Sequence, residues 1–154
     1  AATGADFEGD DAGDAGFLVM MNEIIQTRPD VHRGWLEAEL DAQLFLADTD
    51  NANEVAKMAD DQTEGMDRKI LWASLYRDEN RVNKLTLDFV FNDKVRNMLN
   101  ASAAFLAGKK KFGKRTTLRP QAVYDEVARQ VLADRGLKSP LGKIDGVPLS
   151  EYRP

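Results

Sequence analysis

Gly16-Phe17-Leu18-Val19-Met20-Met21-Asn22 is the stretch on which the fold turns. An unbroken apolar run between a glycine and an asparagine suits a strand buried on both faces, as in a parallel sheet covered by helices. Such a strand cannot exist alone, because its backbone N–H and C=O groups need partners. It must insert into a sheet whose other strands are not in this sequence, or barely are. The expectation is an α/β domain of which this chain is a piece.

Upstream, residues 1–16 are acidic and glycine-rich: Asp6, Glu8, Asp10, Asp11 and Asp14 alternate with Gly4, Gly9, Gly13 and Gly16. This is loop composition. A calcium loop starting at Asp6 fails, because Asp11 stands where glycine is required and Phe17 where glutamate is.

Downstream, the spacing predicts a helix from Pro29 to near Ala47, with Thr27 or Arg28 at the cap and Asp30 favourable to the dipole. Val31, Trp35, Ala38, Ala42 and Phe45 mark one face, widened by Leu36, Leu40 and Leu44, while Arg33, Glu37 and Asp41 form a charged stripe. Asn51-Ala52-Asn53-Glu54 resembles a capping box for a second helix with Val55, Met58 and Ala59 inward. Gly65 separates a third, capped by Asp67, with Ile70, Leu71, Ser74 and Leu75 on one side. Leu85, Leu87, Phe89 and Phe91 alternate with Thr86, Asp88 and Val90, which predicts an extended edge segment. Asn92 caps a fourth helix carrying Val95, Met98, Leu99, Ser102, Phe105 and Leu106 on one face. Pro120 opens a fifth with Val123, Val127, Val131 and Leu132 inward and Gly136 as its stop. Pro140, Gly142, Gly146 and Pro148 leave a tail without periodicity. The architecture expected is α/β and helix-rich: about five helices, one buried strand and one extended segment.

At 154 residues the chain suits one domain. No apolar run approaches the ~20 residues of a membrane span, and Ala1-Ala2-Thr3-Gly4-Ala5-Asp6 has no export-signal pattern. If the protein is exported, its targeting segment lies outside this chain. The absence of cysteine excludes disulfides, thiolate metal sites and cysteine nucleophiles. A net charge of -5 argues against a nucleic-acid partner. The local exception is the basic cluster Lys109, Lys110, Lys111, Lys114, Arg115 and Arg119, with Phe112 as its one aromatic. A solvated loop after a helix C-terminus accounts for it, since positive charge complements the dipole there. Catalysis needs a tuned nucleophile with a partner base. His32 is the one histidine, expected on a helix surface beside Arg33, and Ser74, Ser102, Ser139 and Ser150 lie in no nucleophile-elbow pattern. No phosphate-cradling glycine fingerprint is present. Trp35 reads as core, whereas Trp72 and Tyr76 are balanced between core and pocket wall. The residues give no catalytic, metal or cofactor site, so the chain reads as a non-enzyme.

Several fragments in colinear order resemble the nitrate/sulfonate/taurine substrate-binding family of ABC importers. They are Gly16–Met20, Arg28–Val31, Gly34–Gln43, Asn51–Val55, Gln62-Thr63, Leu71–Tyr76, Leu118–Pro120 and Val131–Pro140. The resemblance implies a periplasmic, two-lobed binding protein that closes on its solute and delivers it to a membrane permease without chemistry. This chain would be its C-terminal part, with residues 1–16 the inter-lobe crossover loop, 17–142 the helical remainder of lobe one and 143–154 an irregular tail. The missing N-terminal lobe segment, or a partner chain, would supply the rest of the sheet. The ligand-binding positions implied by the match are Thr3, Gly4, Asp14 and Gly16. Glycine there lets backbone N–H groups approach an anion, and Thr3 offers a hydroxyl. The acidic loop departs from an anion site, and Glu64 stands where relatives often have a small polar residue. Two other functions stay open: an interaction module or half-protein that pairs with another chain, and an enzyme like the thiamine-pyrimidine synthases, which depend on histidines.

Overall fold

Proline and its predecessor decide how the helical part begins. The residue before a proline is pushed out of the α region, and Arg28, at φ -133 and ψ 65, separates a short helix α1 (Asn22–Thr27) from the long helix α2 (Pro29–Ala47). Sequence periodicity finds α2 with its bounds and misses α1. The computed structural model describes residues 16–63, 65–76, 86–109 and 114–153. Within them follow α3 (Ala52–Gln62), α4 (Arg68–Leu75), β1 (Thr86–Leu87), α5 (Asp93–Gly108), α6 (Glu126–Asp134) and β2 (Gly142–Lys143), with 3-10 turns at Thr49–Asn51, Pro120–Ala122 and Leu149–Glu151. The fold is mostly helical with one small two-stranded sheet.

The strand expected at Phe17–Met21 does not form. These residues carry no regular structure and are largely exposed, Val19 at 94%. The physical reason lies in the sheet: β1 pairs only with β2, antiparallel, with Thr86 opposite Lys143 and Leu87 opposite Gly142. Neither strand pairs with the 17–21 segment among the described residues, so the apolar run stays outside the sheet. Of the expected alternation, Leu85 lies outside the described residues and the strand covers only Thr86–Leu87. Leu87 is buried, but the chain turns after it and buries Val90 instead of continuing the period of two.

Helix α2 buries the face opposite to the one favoured by its sequence. His32 and Leu40 are buried and Leu36 and Leu44 half-buried, whereas Val31, Trp35, Ala38, Ala42 and Phe45 are exposed. Helix α6 packs on the leucine stripe. The charged residues flanking that stripe reach across to it: Arg33 meets Asp134 at 2.7 Å and Arg135 meets Asp41 at 2.8 Å. Both stripes of α2 are apolar, so periodicity alone could not choose between them. His32, expected on the surface, lies instead against the Tyr124 ring at a centroid distance of 5.7 Å.

Two hydrophobic clusters make the core. One gathers Leu40, Val90, Ala128, Val131 and Leu132 between α2 and α6. The other gathers Ala52 and Ala56 of α3, Trp72 and Tyr76 of α4, Leu87 of β1, and Ile144 and Val147 of the tail. Leu141 packs against both. In α3 the inward residues are alanines, which let α4 approach closely, while Met58 is exposed. In α4 the buried side is Leu71, Trp72 and Tyr76, whereas Ile70 and Ser74 face out. Trp72 and Tyr76 are therefore core. Trp35, expected as core, is 55% exposed.

The caps follow chemistry more closely than the faces do. The Asp67 carboxylate accepts from the Lys69 N–H at 2.7 Å, and the Asn92 side-chain oxygen accepts from the Val95 N–H at 2.9 Å. Asn51 makes no cap bond; its amide donates to the Phe45 carbonyl, and Asp48 caps the preceding 3-10 turn. Helix α6 starts later than Pro120 implies, because Val123 is extended and breaks the turn from the helix. It stops where expected: Gly136 has φ +66, its N–H reaches the Ala133 carbonyl, and the Leu137 N–H reaches that of Leu132. That pair of bonds is a Schellman motif, whose left-handed position suits glycine.

The tail is short of regular structure yet belongs to the core. Ile144 and Val147 are 1% and 5% exposed, and Tyr152 sets its ring edge against Trp72 at 5.8 Å. Asn53 clamps the end, donating to the Glu151 carbonyl at 3.2 Å and accepting from the Arg153 N–H at 2.7 Å.

This packing makes stability depend on alkaline pH. Burial, and secondarily the charge of Asp48, push the Tyr76 phenol up to about 12. The folded state thus holds a proton that the unfolded state releases near pH 10. The stabilisation is complete below pH 10 and is lost as pH rises from 10 towards 12. Denaturation at pH 9 and pH 11 should show this loss for the native chain and not for Tyr76→Phe. An equal loss in both would remove Tyr76 as its source.

Candidate functional site

Of the four ligand positions expected from the sequence, Thr3, Gly4 and Asp14 lie outside the described residues. Gly16 is exposed, and a Cβ placed on it meets nothing within 4 Å. Among the described residues no neighbour requires a glycine there. Just after it, Phe17 stacks on Phe91 with ring centroids 5.6 Å apart and planes 15° from parallel. The Arg96 guanidinium stands 5.9 Å from the same Phe91 ring. The segment beginning at Gly16 is thus anchored at its first aromatic, and Leu18, Val19 and Met21 beyond it remain exposed.

A second apolar feature is the outer face of α2. Val31, Trp35 and Phe45, with Ala38 and Ala42 between them, form an exposed stripe along the helix. Gly34 lies beside Trp35, also open to solvent. Helix α5 adds Phe105 and Leu106, 62% and 39% exposed, and buries no residue fully. Scattered apolar side chains are normal on a surface, but a stripe along one helix face signals contact with something else.

Polar chemistry is dispersed. Among the described residues, no group of three or more histidine or acidic side chains is placed to hold a metal ion. The ion pairs tie elements together. Arg33 holds the Asp134 carboxyl below its ordinary range through a direct hydrogen bond, with Gln130 adding another. Arg28 acts likewise on Asp30 through a two-pronged contact at 3.1 and 2.9 Å. Both carboxylates face water, where such pairs contribute little. No helix of the described residues is long and apolar enough to cross a membrane.

The basic cluster divides in the structure. Lys109 ends α5 with its ammonium 5.1 Å from the Phe105 ring, and Lys110 and Lys111 lie outside the described residues. Lys114, Arg115 and Arg119 are exposed. Sequence reasoning missed the groove into which Arg119 leads. Its signal was the return of the chain at Leu118-Arg119-Pro120 onto Asn100 of α5, whose side-chain oxygen accepts from the Leu118 N–H at 2.9 Å.

No protein-family model, no curated protein and no solved structure matches this chain.

Proposed function

We propose that the chain is the C-terminal, helix-rich part of a two-lobed solute-binding protein, working outside the cytoplasm with an ABC permease. Its solute is a small molecule of the nitrate, sulfonate or taurine kind, captured by lobe closure and released unchanged. The observation that carries this reading is the Phe17–Met21 segment, a largely exposed apolar run anchored at its first aromatic and paired with neither described strand. It supports the reading because a strand of that composition belongs inside a sheet, and the sheet of such a protein runs through both parts of the lobe. The apolar outer face of α2 supports it in the same way, as surface to be covered by the remainder of the lobe. The colinear resemblance from Gly16 to Pro140 supplies the solute class. Thr3, Gly4, Asp14 and Gly16 are the proposed ligand positions.

The test is a thermal-shift screen of the two-lobed protein against taurine, alkanesulfonates and nitrate. A true ligand at a hundredfold excess over its dissociation constant adds about 2.7 kcal/mol. No shift with any of them overturns the solute class. The exposed stripe of α2 also favours a second reading, in which this face recruits a separate chain. Sedimentation of the 154-residue chain separates the two: strong concentration-dependent association favours pairing, and a monomer counts against it.

A further inference from the structure

Between α5 and the turn leading to Val123 lies a groove of about 180 Å³, lined by Arg96, Asn100, Thr117, Leu118, Arg119 and Pro120 together with Val123. Among the described residues no acidic side chain lines it. We propose that this groove is a phosphate-binding site, taking one phosphate group between the guanidinium groups of Arg96 and Arg119. The inference does not rest on the transport reading and names a different ligand from it.

Charge is the first argument. Asp125 is the nearby carboxylate, and its Oδ2 is shared by Arg96 at 3.2 Å and Arg129 at 2.8 Å. One carboxylate facing two guanidiniums leaves an excess positive charge. Arg119 adds another, and its guanidinium has no ion-pair or hydrogen-bond partner among the described residues. A doubly charged tetrahedral anion matches that excess better than a singly charged planar one.

Preorganisation is the second. Arg96 is held from two sides, by Asp125 and by the Phe91 ring, so little side-chain freedom remains to be lost on binding. Asp125 is only 16% exposed at its side chain, which keeps the pair in place. The donors are the third argument. Asn100 uses its side-chain oxygen to hold the Leu118 N–H, which leaves its amide as a donor without a partner among the described residues. Thr117 lines the same groove, and its hydroxyl makes no hydrogen bond among the described residues. Guanidinium, amide and hydroxyl groups together match the several acceptor oxygens of a phosphate.

Size is the fourth. A water occupies about 30 Å³, so the groove holds one phosphate group with a few waters. Drug-sized ligands need about 300 Å³ or more. A larger molecule would therefore leave its body in solvent and place only its phosphate here.

The test is a titration of the 154-residue chain with inorganic phosphate, followed by the amide resonances of Leu118 and Arg119 at constant ionic strength. Saturable shifts are expected, with affinity falling as salt is raised. Arg119→Gln should weaken binding about tenfold or more, while Lys138→Gln, at an exposed position elsewhere, should leave it unchanged. Arg96→Gln should also weaken it, and the fold should persist because Asp125 keeps Arg129. Glycerol 3-phosphate separates the sources: equal or tighter binding identifies the phosphate of a larger molecule, and binding of inorganic phosphate alone identifies the free ion. Shifts that do not saturate, that chloride reproduces, or that survive Arg119→Gln unchanged would overturn the proposal. Shifts induced equally by methanesulfonate or taurine would also count against a phosphate site, leaving the transport reading to its own test.

Discussion

Trp72→Ala is expected to destabilise the fold by about 3–5 kcal/mol, the range for removing a fully buried aromatic. Trp72 is 1% exposed and stands where helix, sheet and tail meet. Its ring lies 5.4 Å from that of Tyr76 and 5.8 Å from that of Tyr152. Its indole N–H donates to the Val147 carbonyl at 3.1 Å, a bond that crosses from α4 to the tail. Truncation leaves a cavity and also deprives that carbonyl of its partner, at a cost of about 1–3 kcal/mol where water does not replace it. Trp72→Phe separates the two effects, since it retains most of the ring and loses the bond. Its expected cost is the smaller, about 1–3 kcal/mol. Urea denaturation followed by far-ultraviolet circular dichroism measures both. A Trp72→Ala midpoint within error of the native one would show that this cluster does not hold the fold.

Deleting residues 144–154 should be at least as damaging. Ile144 and Val147 are buried by folding, each contributing about 1.5–3 kcal/mol. Tyr152 and both bonds of the Asn53 clamp leave with them. The expected loss of about 3–6 kcal/mol is comparable to the whole stability of a small domain, about 5–15 kcal/mol. Such a truncation should broaden or abolish the cooperative unfolding transition. A shortened chain that unfolds as sharply, at the same urea concentration, would reduce the tail to a passive appendage.

The contrast between helices and tail shows what was legible in the sequence. Bounds written in local chemistry were readable: Pro29 opening α2, Asp67 and Asn92 as caps, Gly136 as a left-handed stop. Faces were harder, because α2 carries two apolar stripes and only the position of α6 selects the leucine one. The burial of Trp72 and Tyr76 depended on partners about seventy residues away in the tail, as the bond of Trp72 to Val147 shows. Ile144 and Val147 carry no periodic signal, since a strap across a core is neither helix nor alternating strand. Residues 1–15, where three of the four expected ligand positions fall, are outside the described residues.

The two tryptophans of this chain stand in opposite surroundings, one buried at 1% exposure and the other open at 55%. That difference makes them separate optical reporters. Trp72 should emit at short wavelength and resist acrylamide quenching until the chain unfolds, whereas Trp35 should emit at long wavelength and quench readily. Anything that settles on the outer face of α2 would shift the emission of Trp35 and leave that of Trp72 alone. With Trp72→Phe as the single-reporter background, the arrival of a partner on that face becomes a colour change in the folded variant.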